Sequence, residues 1–226
     1  EIKKAYQKKK ISSQRLESAV KKILYAKYKA GLANFIPIKI DNIVNDLNQD
    51  IDHALLDRLA EESITLVKND LNNLPINISD DQSIGYINFG DDSYETFMKY
   101  LNNYNRVDHL NKFNNDSLVI KSKLYDKIII GLHKTDKSPF EDYKFNTDEI
   151  SLINKIKNET DLTLVIFSKP YSMLDIDIDG IESILIAYQN SDIFQTKAAQ
   201  AVFGSIDVKG VLPVTINKKI TVNSSI

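Results

Sequence analysis

The sequence contains no cysteine, which removes disulfides, thiolate nucleophiles and Cys-ligated zinc or iron–sulfur centres together. Five Pro and seven Gly among 226 residues leave little material for a long linker or a low-complexity tract. No apolar run approaches the ~20 residues needed to cross a bilayer as a helix, so no membrane span is expected. The net charge of −2 is too near neutral to point to a nucleic-acid or polyanion partner. The chain opens on Glu1-Ile2-Lys3-Lys4, without an initiator Met or an apolar signal segment. On that pattern it is expected to be a piece of a longer polypeptide.

Several catalytic signatures are missing too. There is no G-x-x-x-x-G-K-[ST] loop to cradle phosphates and no G-x-G-x-x-G after the first strand, where Gly85 and Gly90 stand alone. No G-x-S-x-G elbow occurs, which argues against an α/β-hydrolase. His53, His109 and His133 are scattered singly, without the spacing that a metal site needs. Neither a metal nor a cofactor is called for.

What is present is an ordinary globular composition, 42% hydrophobic and 27% charged, which fits one domain, or one domain plus an appendage, around a single substantial core. A first helix is predicted over Ser13–Lys29. Ser12 or Ser13 can cap it, Leu16, Ala19, Val20, Ile23, Leu24 and Tyr28 share one face, and Gly31 follows as a left-handed terminator. The segment up to Gly31 carries nine Lys and one Arg against two Glu, read as a solvated helix face. A second helix is predicted over Asp52–Lys68, striped by Leu55, Leu56, Leu59, Ala60, Ile64 and Val67 and broken at Asn72-Asn73-Leu74-Pro75.

From there the chain alternates. Six short β-branched or aliphatic runs, Ile84–Phe89, Arg106–Leu110, Lys127–Leu132, Leu162–Phe167, Ile184–Tyr188 and Val211–Ile216, are interleaved with helical patterns. The helices are Tyr94–Leu101, Asp116–Lys123, Thr147–Asn158 and Ile193–Phe203. Asn146 and Glu149 have capping-box spacing, and Gly204 stands at a helix end. Strands apolar on both faces, such as Lys127-Ile128-Ile129-Ile130-Gly131, belong in sheets covered on both sides. The expected fold is therefore α/β, a three-layer sandwich on a mostly parallel six-stranded sheet. Pro213 cannot donate to a ladder, which places the strand Val211–Ile216 at an edge, where an antiparallel orientation is open to it.

Ligands of open parallel sheets collect beyond the carboxyl ends of the strands. Three segments fall on that rim: His133-Lys134-Thr135-Asp136-Lys137-Ser138-Pro139 running on to Glu141, Asp142 and Tyr143; Lys169-Pro170-Tyr171; and Gln189-Asn190-Ser191-Asp192. The first is long for a strand-to-helix connection. His133, Lys134, Asp136, Lys169 and Tyr171 are the candidate ligand-binding residues, and such a mixture of amides, hydroxyls, charges and an aromatic suits a sugar. A solvated charged loop accounts for the first segment equally well.

Five segments, in order, resemble glycoside hydrolase family 3. They are Arg15-Leu16-Glu17-Ser18-Ala19-Val20-Lys21-Lys22-Ile23-Leu24 with Ala26-Lys27-Tyr28 and Gly31-Leu32; Ala60-Glu61-Glu62-Ser63-Ile64-Thr65-Leu66-Val67-Lys68-Asn69 with Leu74-Pro75; Ile129-Ile130-Gly131-Leu132-His133; Val165-Ile166-Phe167-Ser168-Lys169-Pro170-Tyr171; and Ala198-Ala199-Gln200-Ala201-Val202-Phe203-Gly204 with Gly210-Val211-Leu212-Pro213-Val214-Thr215. The resemblance implies that residues 1–32 are the tail of a (β/α) barrel, 33–75 a connector and the helix leading onward, and 76–226 the C-terminal α/β sandwich domain. It also implies a bacterial, periplasmic or exported protein.

Retaining glycosidases need two carboxyl-type groups about 5 Å apart. The resemblance places the nucleophilic aspartate on a barrel segment with no counterpart here, so no catalytic residue is assigned. The acid/base would be a sandwich-domain glutamate in the β-glucosidase branch, or an Asp–His pair on a barrel loop in the β-N-acetylglucosaminidase branch. The stretch His133–Asp142 has a single glutamate, Glu141, without the family's surrounding glycine pattern. That favours the second branch, with this chain shaping the cleft for a carbohydrate together with the barrel. The competing readings are a free-standing sugar- or nucleotide-binding module and a purely structural domain.

Overall fold

A computed structural model of the chain describes residues 1–78, 81–112, 114–138 and 140–225; Pro139 of the long rim loop lies outside the described residues. Two compact units are formed, Glu1–Gln49 and Asp50–Ile226.

The first unit carries α1 (Ile2–Gln7), α2 (Ser13–Lys29) and α3 (Ile43–Asp46). Helix α2 starts where the Ser12 hydroxyl accepts the Arg15 amide at 3.2 Å, satisfying one of the first-turn donors. Gly31 follows with φ 75, a left-handed turn open to glycine without a Cβ penalty. No residue of this unit is buried, so the stripe of Leu16, Val20, Ile23 and Leu24 finds no core within it.

The second unit runs α4 (Asp50–Ser63), β1 (Thr65–Asn69), β2 (Ile84–Gly90), α5 (Glu95–Tyr104), β3 (Val107–His109), α6 (Asn115–Ser122), β4 (Lys127–His133), α7 (Thr147–Ile156), β5 (Asp161–Phe167), β6 (Ser183–Ile186) and α8 (Asp192–Val202). The six strands form one sheet in the order β1-β6-β5-β4-β2-β3. All pairings are parallel except β1 with β6. The fold is the α/β sandwich expected from the alternation.

Two local expectations are corrected. The helix predicted through Lys68 ends at Ser63, and Thr65–Asn69 is a strand. Thr65 and Val67 are β-branched and suit a pleated surface better than a helix. Thr65 pairs opposite Ile186 and Leu66 opposite Leu185. The antiparallel edge is thus β1 and not Val211–Ile216, which forms no strand. That segment turns back on its own tail: the Leu212 amide donates to Ser224 O and the Ile216 amide to Ile220 O, each at 3.0 Å. Leu212, Ile216 and Ile220 are nevertheless buried, which explains their apolar spacing without a ladder.

Alternation along the strands divides the core. Ile128, Ile130, Leu164 and Ile166 face one side with Leu118 of α6 and Leu152, Ile153 and Ile156 of α7. Ile129, Val165 and Leu185 face the other with Phe97 and Leu101 of α5 and Ala198, Ala199 and Val202 of α8. Each such side chain, once fully buried, contributes about 1.5–3 kcal/mol. Helix α7 is started by the capping box that the sequence predicts. Asn146 Oδ1 accepts from the Glu149 amide at 2.9 Å and Glu149 Oε2 from the Asn146 amide at 2.8 Å. Glu149 Oε1 also accepts from the Gly90 amide at 3.1 Å, which ties α7 to the carboxyl end of β2.

Candidate functional site

Strands β2, β4, β5 and β6 run parallel, so their carboxyl ends deliver residues 91–94, 134–138, 140–146, 168–174 and 187–191 to one rim. At its base lies a polar chain on aromatic packing. His133, the last residue of β4, is fully buried. Its Nδ1 lies 2.7 Å from Asn190 Oδ1 and its Nε2 2.6 Å from the Tyr86 hydroxyl. An amide oxygen can only accept, so Nδ1 carries the proton, and Nε2 must accept from Tyr86. Burial first of all lowers the imidazole pKa to about 4 and raises that of Tyr86 well above the ordinary phenol value. Both shifts keep the pair neutral, with Tyr86 as donor. The ring stacks on Phe167 at 4.4 Å between centroids. Asn190 Nδ2 donates to Ser93 O at 2.8 Å, and Gln195 Nε2 to Ser93 O at 2.9 Å and Asn190 O at 3.0 Å. The chain thereby joins β2, β4, the loop after β6, and the start of α8.

This arrangement leaves no room at Gly131. A Cβ there would sit 2.5 Å from His133 Nε2 and 2.7 Å from the Tyr86 hydroxyl.

Above the network opens a cleft of about 380 Å³, lined by Lys134, Thr135, Asp136, Ser138, Glu141, Tyr143, Phe167, Ser168, Lys169, Tyr188 and Gln189. Of the residues singled out in the sequence, Lys134, Asp136 and Lys169 meet here. His133 lies behind the cleft with both ring nitrogens engaged, and Tyr171, 40% exposed, stands outside the lining on the turn Pro170–Met173. Lys134 is held by Asp91 at 3.6 Å, and Asp91 also accepts the Thr135 amide at 3.1 Å. The Lys169 ammonium lies over the Tyr143 ring at 5.1 Å, a cation–π contact. The Ser168 hydroxyl donates to Tyr143 O at 3.1 Å, fixing that aromatic to the end of β5. Two ammonium groups, Lys134 and Lys169, balance two carboxylates, Asp136 and Glu141. The cleft therefore offers numerically balanced charge, hydroxyls and rings, a surface suited to a neutral polyhydroxylated ligand.

Tyr188 is the residue that sequence reasoning missed. Its φ is 65, and the Gln189 amide donates back to Ala187 O at 2.7 Å, which closes a three-residue γ-turn of the strained type. A bulky residue held left-handed costs about 1–2 kcal/mol. Compensation comes from its hydroxyl, 2.7 Å from Thr65 Oγ1. Thr65 already donates to Ser63 O at 2.9 Å, so Tyr188 is the donor between them. No local sequence signal marks a tyrosine for this conformation.

No group of three or more His, Asp or Glu side chains among the described residues is placed to hold a metal ion. No helix among them is long and apolar enough to cross a membrane.

No family model matches the chain. A beta-xylosidase of Formosa agariphila is 39% identical over 72 residues, 32% of this chain and 10% of that protein. Among solved structures, a beta-glucoside phosphorylase, BglX, superposes with a TM-score of 0.66 at 16% identity over 92% of this chain and 40% of its own. A glycoside hydrolase family 3 beta-N-acetylglucosaminidase from Paenibacillus does so at 0.63 and 16% identity, over 94% of this chain and 41% of its own. A beta-glucosidase from Listeria innocua, solved with isofagomine, gives 0.66 at 14% identity over 91% and 33%. The chain spans less than half the length of any of these. Nearly all of it is matched at these scores, and it thus has the fold of the C-terminal α/β sandwich of family 3 glycoside hydrolases.

Proposed function

We propose that this chain is the accessory C-terminal part of a retaining β-glycosidase of family 3, acting on β-N-acetylglucosaminides, whose nucleophile and acid/base lie on a barrel domain. The chain's task is then to shape one wall of a carbohydrate cleft and not to break the glycosidic bond. The observation that carries this reading is the coincidence of a family 3 fold over nine-tenths of the chain with a polar, charge-balanced cleft at the carboxyl rim of its sheet. Retention requires two carboxyl groups about 5 Å apart, one of them held protonated by burial or a neighbouring negative charge. Glu141 is the glutamate of the cleft. It is exposed and shares the cleft lining with Lys134 and Lys169, without the burial in which a general acid is held.

The test is Glu141→Gln in the natural polypeptide that carries these 226 residues, assayed on an aryl β-glucoside and an aryl N-acetyl-β-glucosaminide with poor leaving groups. The expected result is preference for the N-acetylglucosaminide and a kcat changed by less than about threefold. Loss of a general acid costs ~10²–10⁴-fold. A drop of that size, or preference for the glucoside, would overturn the assignment.

A further inference from the structure

The rim residues on either side of Gln189 are both pinned. Tyr188 is fixed in its γ-turn by the hydroxyl bond to Thr65 of β1. Asn190 is fixed by His133, Ser93 and Gln195. Between them Gln189 is exposed and lines the cleft, and among the described residues its side-chain amide has no hydrogen-bond partner. Strain held in place by surrounding bonds is characteristic of positions where the backbone must aim a group at a ligand. Here the two anchors define where the amide starts, and its last bonds are left for something outside the chain.

We propose that Gln189 is a carbohydrate-binding residue of this cleft, its amide donating to and accepting from a hydroxyl or acetamido group of a neutral sugar. This rests on the glycosidase-domain reading for its ligand class. A side-chain amide offers both a donor and an acceptor, as sugar hydroxyls and N-acetyl groups require. Thr135 and Ser138 add hydroxyls in the same lining, while Tyr143 supplies ring surface for the sugar's apolar face. The equal formal charge of Lys134 and Lys169 against Asp136 and Glu141 in the lining gives an anionic sugar no advantage. Tyr188 acts as a positioning residue: it holds the turn that presents Gln189.

The experiment uses the natural polypeptide that carries this chain, with N-acetylglucosamine as the probe and glucosamine 6-phosphate as the anionic comparison, both titrated by calorimetry. Turnover of an aryl N-acetyl-β-glucosaminide is measured in parallel. Gln189→Ala should weaken N-acetylglucosamine binding at least tenfold and raise KM with kcat nearly unchanged, since the lost contact serves binding throughout. Its melting temperature should stay within about 1 °C of the parent, because an exposed, unpaired side chain contributes little to folding. Gln189→Asn should recover part of the affinity. Tyr188→Phe, which keeps the ring but frees the turn, should raise KM without abolishing binding. Turnover with Gln189→Ala indistinguishable from the parent overturns this inference and leaves the glycosidase reading standing. Sugar binding that depends on Gln189, without turnover of any β-glycoside, does the reverse. Binding of neither sugar, or tighter binding of the phosphate, rejects the proposal.

Discussion

Tyr86 and His133 sit on neighbouring strands of the sheet, and the Tyr86 hydroxyl donates to His133 Nε2 across 2.6 Å in a fully buried setting. The pair are not register partners: Tyr86 of β2 lies beside Ile129, and His133 beside Gly90. Their side chains meet over Gly131, whose missing Cβ provides the space.

Stability should fall on mild acidification because of His133. Unfolded, the imidazole titrates near 6.5, whereas in the folded chain burial lowers it to about 4. Above pH 6.5 neither state binds the proton and stability is full. Between 6.5 and 4 only the unfolded state takes it up, so folding weakens as pH falls, by about 3 kcal/mol in total for this group. Below about 4 both states are protonated and the loss levels off. Urea unfolding at pH 7.0 and 5.5 should show this slope in the parent and lack most of it in His133→Gln. An equal slope in the two proteins would place the titration elsewhere.

Gly131→Ala should destabilise the domain by about 1–3 kcal/mol, the usual cost of overpacking a tight core. The added methyl would meet the His133 ring and the Tyr86 hydroxyl well inside contact distance, so one of them must move and the hydrogen bond between them lengthen. Chemical denaturation measures the cost, and the His133 ring-nitrogen NMR shifts report the broken bond. Normal stability with unaltered ring shifts would show that the site can absorb a methyl.

Lys197 of α8 is nearly buried and its ammonium meets Asp57 at 2.9 Å and Glu61 at 2.8 Å, both on α4. Burial alone would lower its pKa, and the two carboxylates reverse that to leave it raised. Removing both partners in Asp57→Asn/Glu61→Gln strands a charge with little solvent. Breaking a buried pair costs 3–5 kcal/mol, but these carboxylates are half-exposed and screened, so about 2 kcal/mol is expected in urea unfolding at pH 7. A double variant as stable as the parent would mean the ammonium reaches water on its own.

On the proposed reading, the 226-residue chain by itself should turn over no chromogenic β-glycoside, since both catalytic groups of retaining hydrolysis would lie on the barrel domain. Activity that survives repurification, and disappears on a point substitution within the chain, would contradict this.

Much of the architecture was legible in the sequence because it depends on local periodicity. The apolar runs Lys127–Leu132 and Leu162–Phe167, and the capping pair Asn146 and Glu149, declare a doubly covered parallel sheet and a helix start without reference to anything distant. Even Gly31 announces its left-handed turn from its position after the last apolar residue of α2. What only the tertiary structure decided are the choices in which a distant partner outweighs a local preference. Thr65–Asn69 continues a helical stripe in sequence yet becomes a strand, because β6 presents an open edge at which Thr65 and Leu66 can pair. Val211–Ile216 has the pattern of a strand but loses that edge to β1 and folds onto its own tail. On the rim, Lys134, Asp136 and Lys169 were visible as polar residues after strands. The burial of His133 and the left-handed turn at Tyr188 were not, since each depends on groups remote along the chain: Tyr86 and Asn190 for the first, Thr65 for the second. A sequence records which hydrogen bonds a residue can make, and the packing of the folded chain determines which of them it does make.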